Sequence, residues 1–213
     1  MIQKVQRFVF NSFGVNTYVL SDETGKCLVI DPACQYKGEE TELLGYITGN
    51  NLSPVGMVNT HFHIDHVLGN SFICNAFKIS PQCHKRCKIF WENAVESGLV
   101  FGIKVENLII PKDFIDEGDR ISYGNSSVDV LYTPGHADGS ICLVNHAERY
   151  VVSGDVLFRD SIGRTDLPTG NFDTLYTSIT SKLFTLPDDY TVYPGHGPST
   201  SIGYEKLNNP FLR

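Results

Sequence analysis

The sequence lacks the excess of positive charge that proteins binding nucleic acids or anionic membranes usually carry. Its 17 lysine and arginine residues are outnumbered by 24 aspartate and glutamate residues, which gives a net charge of -7 and an isoelectric point near 5.4. Residues 1–8 contain neither a continuous apolar run nor a small-residue cleavage site, and no segment approaches membrane-spanning length. We therefore expect a cytoplasmic protein that binds neither nucleic acid nor membrane.

The cysteines do not form the patterns of a disulfide framework or a zinc finger. None of the six belongs to a Cys-x-x-Cys pair, and most lie inside apolar runs, which is typical of reduced, buried thiols. The chain also lacks low-complexity segments, long linkers and close internal repeats. Because 213 residues are enough for one well-packed core, we expect a single domain over residues 1–213.

What the sequence does contain is a dense cluster of potential metal ligands. Three imidazoles and one carboxylate fall within the segment Thr60-His61-Phe62-His63-Ile64-Asp65-His66. These ligands suit zinc and also accommodate iron or manganese. His61 and His63 alternate about Phe62, whereas the adjacent Asp65 and His66 must point in different directions. Two metal ions therefore fit this spacing better than one, and the alternative is a set of surface histidines after a strand.

Apolar periodicity and turn residues predict two similar halves. In the first half we expect strands at 2–10, 14–21, 26–31 and 55–59, a helix at 38–49, and a mostly helical stretch at 79–100 with Pro81 near its start. In the second half we expect strands at 119–123, 127–133, 140–145, 149–153 and 190–193, a long loop at 156–170, and helices at 172–184 and 199–207. Two strand-rich halves, each followed by helices, indicate two sheets packed face to face with helices outside.

Two other groups of polar residues have ordinary structural interpretations. Cys83, His84 and Cys87 fall within the predicted helical stretch, and no fourth ligand accompanies them at zinc-finger spacing. We therefore expect a helix surface there, with a second metal site as the alternative. His146 falls on a predicted turn, and we expect it to be structural.

Three later segments repeat one arrangement, in which a β-prone run is followed by a glycine-containing turn and then by one potential ligand. They are Val130-Leu131-Tyr132-Thr133-Pro134-Gly135-His136, Tyr150-Val151-Val152-Ser153-Gly154-Asp155 and Thr191-Val192-Tyr193-Pro194-Gly195-His196. Glycine allows the backbone to turn sharply and to approach a ligand closely. Each segment alone is weak evidence, since a histidine after Pro-Gly is more often a polar loop residue. Together with the first cluster they predict a dinuclear site built from His61, His63, Asp65, His66, His136, Asp155 and His196.

These residues resemble the metallo-β-lactamase superfamily and, within it, the glyoxalase II group, whose signature is Thr-His-x-His-x-Asp-His. The resemblance runs from the opening strands to His196 and implies an α/β fold, a four-layer αββα sandwich. It further implies one metal held by His61, His63 and His136 and a second held by Asp65, His66 and His196, with Asp155 bridging the two. Asp65 and Asp155 are then the catalytic carboxylates.

The segments that follow Asp155 indicate which subgroup of the superfamily the sequence resembles. Asp155-Val156-Leu157-Phe158 and the run from Ser161 to Pro168 look like the small bacterial glyoxalase-II-like hydrolases. β-Lactamases proper usually carry a cysteine at a ligand position of the second metal, and here no cysteine is near Asp155. The resemblance therefore disfavours antibiotic hydrolysis.

Two divalent ions, zinc as the first expectation and iron or manganese as alternatives, can hold a bridging water and lower its pKa toward neutrality. The resulting hydroxide can attack a carbonyl carbon. A thiolate leaves without obligatory protonation, because a thiol has a pKa of about 8.5, whereas an amine leaves less easily. The leading hypothesis is hydrolysis of a small-molecule acyl thioester similar to S-lactoylglutathione.

Arg164 is the candidate substrate-binding residue. It falls approximately where glyoxalase II enzymes place a lysine that contacts glutathione, so it could hold a substrate carboxylate through a bidentate pair. The alternative is a structural ion pair with Asp160 or Asp166. The tyrosine that follows the last histidine ligand in that group is not matched, since Gly197 and Pro198 follow His196. A smaller or different thioester therefore stays open.

The same residues are compatible with two other functions. A persulfide dioxygenase of the same superfamily would hold one iron through His61, His136 and Asp155, and such enzymes share the run Gly163-Arg164-Thr165-Asp166. A non-catalytic module would hold metals for structure alone. Structural metal sites favour saturated ligand shells that are often rich in cysteine, so a seven-ligand site with room for solvent argues against that reading.

Overall fold

The computed structural model describes residues 4–105 and 107–213. Its strands form two six-stranded sheets and one two-stranded ribbon. In spatial order, the N-terminal sheet contains β1 (Lys4–Phe10), β2 (Val15–Ser21), β3 (Lys26–Ile30), β4 (Ser53–Val58), β5 (Pro81–Cys83) and β6 (Asp113–Phe114). The C-terminal sheet contains β14 (Thr200–Ser201), β13 (Thr191–Pro194), β10 (Tyr150–Gly154), β9 (Ile141–Asn145), β8 (Ser126–Tyr132) and β7 (Arg120–Tyr123). The ribbon pairs β11 (Leu157–Phe158) with β12 (Ser161–Ile162).

Seven α-helices accompany the sheets within the described ranges. They are α1 (Lys37–Gly49), α2 (Ile64–Val67), α3 (Asn70–Phe77), α4 (Lys88–Glu92), α5 (Ala94–Val100), α6 (Phe172–Ser181) and α7 (Ile202–Asn208). Short 3-10 turns cover Lys85–Cys87 and Leu183–Thr185. None of these helices combines the length and apolarity needed to cross a membrane.

The two sheets pack face to face, because each carries apolar residues on its inner side. The central core joins Leu20, Leu28 and Val58 of the N-terminal sheet to Val130 and Leu143 of the C-terminal sheet. Burial alternates along most of β8, as expected for a strand with one face in a core. This core is therefore the layer between the two halves of the chain.

Helices cover the outer faces of both sheets. Leu43 of α1 packs against the outer side of the N-terminal sheet in one apolar cluster with Val29. Leu175 of α6 joins Val144 and Val151 in the equivalent cluster outside the C-terminal sheet. Each of these clusters buries an apolar helix stripe that would otherwise face water. The predicted αββα sandwich is confirmed.

The strands that precede the candidate ligands end at one edge of the sandwich. β13 is parallel to β10, and β8 has the same direction because β9 runs antiparallel to both β8 and β10. The backbone N–H of Asn16 donates to the Gly195 carbonyl at 2.7 Å, and that of Ile141 donates to the Thr60 carbonyl at 2.8 Å. These bonds join the two sheets at the edge where β4 also ends, so residues far apart in sequence meet there.

The segment 79–100 was predicted wrongly at its start. Pro81 does not begin a helix, because Pro81–Cys83 forms β5, which pairs in parallel with β4 and β6. These partners are distant in sequence, so local periodicity could not reveal the pairing. Cys83, His84 and Cys87 are buried rather than exposed on a helix surface, and the potential metal-binding groups within the described residues do not include them.

The remaining differences are small. Residues 2 and 3 of the first predicted strand lie outside the described residues. The predicted loop at 156–170 contains the β11–β12 ribbon, and Thr200–Ser201 is an edge strand rather than the first part of the closing helix. All six cysteines are free and five are buried, in keeping with their positions inside apolar runs.

Candidate metal centre

The structure brings the seven predicted donor residues together at this edge. The side chains of His61, His63 and His136 form one group whose ligand atoms lie within 4.8 Å of one another. Asp65, His66 and His196 form a second such group. We call these the first triad and the second triad.

Asp155 lies between the two triads. Its Oδ1 is 3.4 Å from Nε2 of His66, and its Oδ2 is 3.7 Å from Nε2 of His136 and 3.4 Å from Nε2 of His196. One carboxylate therefore faces donors of both groups, the position that a bridging ligand requires.

Hydrogen bonds on the Nδ1 side orient three of the imidazoles. Nδ1 of His136 donates to the Arg164 carbonyl at 2.8 Å, and Nδ1 of His196 donates to the Phe13 carbonyl at 3.1 Å. Nδ1 of His66 lies 3.0 Å from Oδ2 of Asp31 and donates to that carboxylate. These bonds hold a proton on Nδ1 and direct Nε2 into the centre, the arrangement that metal-binding histidines require once Nε2 is unprotonated.

His61 and His63 complete the first triad in different ways. Nδ1 of His61 lies 3.1 Å from Oγ1 of Thr60, whose hydroxyl donates in turn to Oδ2 of Asp31 at 2.6 Å. His63 instead presents Nδ1, which lies 2.9 Å from Nε2 of His136. The two facing nitrogens are both potential ligand atoms for one ion.

Asp31 is the residue that the sequence analysis missed. It is buried, follows β3, and also accepts the backbone N–H of Thr60 at 2.7 Å. Its carboxylate groups spatially with His61 and His66, but its bonds reach the Nδ1 side of His66 rather than the Nε2 side. Asp31 is therefore a positioning residue rather than a ligand. Its sequence signal is a lone carboxylate after a strand, the pattern that also marks Asp155.

Glycines make the close packing of the centre possible. A Cβ at Gly195 would lie 2.1 Å from Oδ1 of Asp155 and 2.9 Å from Cε1 of His66. Gly135, directly before His136, has a φ of +127° and its Cβ would meet the backbone of Leu175 at 2.2 Å. The turns before the last two histidine ligands therefore exclude any side chain.

Burial keeps the first triad neutral. Burial, together with the neighbouring histidines, lowers the pKa of His61 well below its ordinary value and that of His63 to about 3. Burial also lowers the pKa of His136, although Asp155 and the Arg164 carbonyl act in the opposite direction. Neutral imidazoles are the form that binds metal ions.

The second triad is charged. Burial opposes charge on His66, but Asp155 and Asp65 outweigh it and raise the pKa of His66 well above its ordinary value. Burial likewise opposes the charge on His196, and hydrogen bonds to Asp155 and Asp65 raise its pKa to about 9. The effect is mutual, since the charge on His66 holds the pKa of Asp155 well below its usual range despite burial. Protons on His66 and His196 thus balance the carboxylate charge where a cation would otherwise do so.

The donor set fits divalent metal ions. Nε2 of His61 is buried without a hydrogen-bond partner, and such orphaned buried polar atoms are uncommon in folded proteins. Since Nδ1 of His61 is engaged by Thr60, Nε2 is the nitrogen left to join the first triad, where an ion would satisfy it. Imidazole and carboxylate donors suit zinc, iron and manganese alike.

Three other polar residues noted in the sequence have structural partners. Nε and Nη2 of Arg164 donate to the carboxylate of Asp166 at 2.9 and 2.8 Å, and both side chains are exposed. Nδ1 of His146 lies 3.0 Å from the hydroxyl of Tyr190, in keeping with a structural role. His84, buried beside Asp116, has its Nε2 3.1 Å from Oδ1 of that carboxylate. A role of Arg164 in substrate binding stays a prediction.

Comparison with known proteins agrees with this geometry. The family model described as the metallo-beta-lactamase superfamily matches residues 11–196. A Bacillus subtilis protein named as a probable metallo-hydrolase is 37% identical, over 98% of this chain and 97% of its own. The Haemophilus influenzae hydroxyacylglutathione hydrolase GloC is 33% identical, over 94% of each chain.

Two solved structures share the whole architecture. The BLEG-1 B3 metallo-beta-lactamase has a TM-score of 0.89 and 30% identity, over 98% of this chain and 99% of its own. The di-iron-bound form of TTHA1623 has a TM-score of 0.88 and 31% identity, over 98% of this chain and all of its own. The chain belongs to the metallo-β-lactamase superfamily. Its His and Asp clusters are suited to divalent metal ions, and it is a metal-dependent hydrolase of that superfamily.

Proposed function

We propose that this protein hydrolyses small-molecule acyl thioesters with two divalent metal ions. The first triad would hold one ion and the second triad the other, with Asp155 between them. One observation carries the proposal: the two triads converge, and the cavity lined by five of the donors offers no other histidine, tyrosine, lysine or cysteine among its described lining residues. We take zinc as the first expectation, and the di-iron form of one structural neighbour makes iron the principal alternative.

When bound, the two ions would supply a lowered pKa for water and polarisation of a carbonyl oxygen. The protein itself orients the histidine ligands. The carbonyls of Phe13 and Arg164 and the carboxylate of Asp31 fix the Nδ1 protons of three ligands. Asp155 faces both triads, and Asp65 adds negative charge to the second. These residues set the geometry before any substrate arrives.

The nature of the leaving group decides between a thioester and an amide. Hydrolysis adds the oxygen of water to the carbonyl carbon and breaks the bond from that carbon to the leaving atom, which departs with the electron pair. A thiolate departs unprotonated, since thiols have a pKa of about 8.5, whereas an amine requires a proton donor. Outside the donor set, the ionisable groups that line the cavity in the described chain are Glu96 and Arg164. This scarcity of proton donors supports a thioester, which yields a carboxylate, a thiol and one released proton.

The name of GloC, a hydroxyacylglutathione hydrolase, makes S-lactoylglutathione the first compound to test. Protein purified without added metal would be assayed by elemental analysis and, in the same sample, for S-lactoylglutathione and simple acyl thioester cleavage. The proposal predicts two metals per chain and thioester cleavage. Asp155→Ala should lose metal and activity together, while Asp173→Ala, at an exposed carboxylate in the first turn of α6, should lose neither.

The rival reaction gives a different result. One iron per chain, oxygen consumption on a persulfide and no thioester cleavage would overturn the proposal in favour of a dioxygenase. Full activity in Asp155→Ala would remove the bridging role of that carboxylate.

A further inference from the structure

The cavity beside the candidate metal centre has mostly apolar walls. Its volume is about 750 Å³, within the usual range for small-molecule sites. Five of the seven donors line it, together with five aromatic rings: Phe13, Phe62, Phe90, Phe101 and Phe158. A bound molecule that reaches the donors must therefore contact this surface.

The apolar surface begins at the ligands themselves. The ring of Phe90 packs edge-on against His63 with centroids 4.9 Å apart, and Phe158 packs against His196 at 6.2 Å. Phe13, whose carbonyl accepts from His196, contacts the ring of Phe101 at 5.8 Å. The apolar wall is thus continuous from the second triad to the end of α5.

The outer part of this wall is left exposed to solvent. Val100 is 79% exposed and Phe101 46% exposed, and both line the cavity. Exposed contiguous apolar surface of this kind marks binding sites in many proteins. A ligand that covered these side chains would gain the free energy of removing them from water.

The charges of the cavity do not match glutathione. The glutathione part of a thioester carries two carboxylates and one ammonium group, so its recognition calls for cations. Among the described lining residues the cation is Arg164, and the guanidinium edge formed by Nε and Nη2 is engaged by Asp166. Glu96 adds a negative charge to the same lining. The two carboxylates of glutathione would therefore lose water here and compete with Asp166 for a single cation.

We propose that the natural thioester carries an uncharged apolar group, which packs against Phe13, Phe101 and Val100 while the thioester carbonyl reaches the donors. This inference rests on the proposed thioester hydrolysis and narrows its substrate class. It assigns α5 and the turn after β1 as the specificity-determining elements.

The test uses four thioesters, in which lactoyl or hexanoyl is joined to glutathione or to benzyl mercaptan. The metal-loaded protein should cleave hexanoyl benzyl thioester with a kcat/KM at least about tenfold above that for S-lactoylglutathione, the discrimination expected when several methylene groups enter an apolar pocket. A kcat/KM for S-lactoylglutathione equal to or above that of every apolar ester would overturn the inference and leave thioester hydrolysis standing. Cleavage of none of the four would overturn thioester hydrolysis itself.

Single substitutions test whether the apolar wall of the cavity causes this substrate preference. Phe101→Ala should raise KM for hexanoyl benzyl thioester by about tenfold, with S-lactoylglutathione changed by less than about threefold. Phe101→Leu should recover most of the loss, because it restores apolar contact. Leu99→Ala is the matched control, since Leu99 lies two residues earlier in α5 and is 73% exposed but does not line the cavity. Equal effects of the Phe101 and Leu99 substitutions would contradict the assignment.

Discussion

Replacing Asp31 by asparagine should weaken metal binding at both triads, although Asp31 touches neither predicted ion. The carboxylate accepts three hydrogen bonds: Oδ1 from the N–H of Thr60, and Oδ2 from the Thr60 hydroxyl and from Nδ1 of His66. Through Thr60 it also reaches Nδ1 of His61. One carboxylate therefore holds the tautomer of one ligand from each triad.

Asparagine has the same shape but cannot make these bonds, because it offers one acceptor and one donor group. If its oxygen faces the N–H of Thr60, its NH₂ faces Nδ1 of His66, which must then give up its proton. The proton moves to Nε2 and blocks the lone pair that faces the centre. If the amide is reversed, its NH₂ meets the N–H of Thr60. Either orientation leaves one mismatched pair.

We expect Asp31→Asn to weaken metal affinity by about 10- to 100-fold, the usual cost of removing a group that orients a ligand. This corresponds to about 1.4–2.8 kcal/mol. Competition with a chromophoric chelator would measure the affinity, and elemental analysis after dialysis the stoichiometry.

The matched control is Asp22→Asn. Asp22 is also buried, and it accepts the N–H and hydroxyl of Thr24 and the N–H of Asn125. Its substitution should lower thermal stability while leaving metal affinity unchanged. Unchanged affinity and stoichiometry in Asp31→Asn, or equal metal loss in both variants, would refute the tautomer argument.

Three further predictions follow from the packing and charge of the structure. Gly195→Ala should lose metal, as measured by elemental analysis, because its Cβ would displace the Asp155 carboxylate; Gly38→Ala, whose Cβ meets nothing within 4 Å, should retain it. Glu205→Gln should lower the free energy of unfolding by about 1–3 kcal/mol, since this buried carboxylate accepts hydrogen bonds from Asp160, Thr200 and Asn209. A thermal melt would measure the effect, and an unchanged Tm would contradict the prediction. Metal should load the second triad less completely at pH 6 than at pH 9, because His196, with a pKa of about 9 in the metal-free protein, must release its proton. The same raised pKa stabilises the metal-free fold fully below about pH 6.5 and less as pH rises through about 9. Equilibrium dialysis at the two pH values would test the loading, and equal stoichiometry would contradict it.

The sequence was most informative where a local pattern and a fold rule coincide. His136, Asp155 and His196 each follow a strand and a glycine turn, and strands of one direction end at the same edge of a sheet. Local spacing therefore predicted which side chains would meet, even though the donors extend from His61 to His196 in the sequence. The αββα layers followed in the same way, from strand-rich halves that each need helices to cover one face.

The features that escaped prediction depend on partners distant in sequence or on the main chain. The carbonyls of Phe13 and Arg164 orient two ligands, but every residue has a carbonyl, so no residue type marks this role. β5 forms because β4 and β6 lie beside it, whereas its own three residues favour no strand strongly. Asp31 was visible as a carboxylate after a strand, yet only the fold shows that it faces Thr60 and His66 rather than solvent.

The proposed reaction and the proposed substrate class share one physical origin. A cavity with an additional acid could protonate an amine and so cleave amides, and a cavity with free cations could bind the carboxylates of glutathione. The described lining has little of either: outside the donors its ionisable groups are one exposed carboxylate, Glu96, and an Arg164 paired with Asp166, set among phenylalanine and aliphatic side chains. Such walls favour a substrate whose leaving atom needs no proton and whose bulk needs no counter-charge. An apolar acyl thioester meets both conditions. The same few side chains therefore support both the proposed reaction and the proposed substrate class.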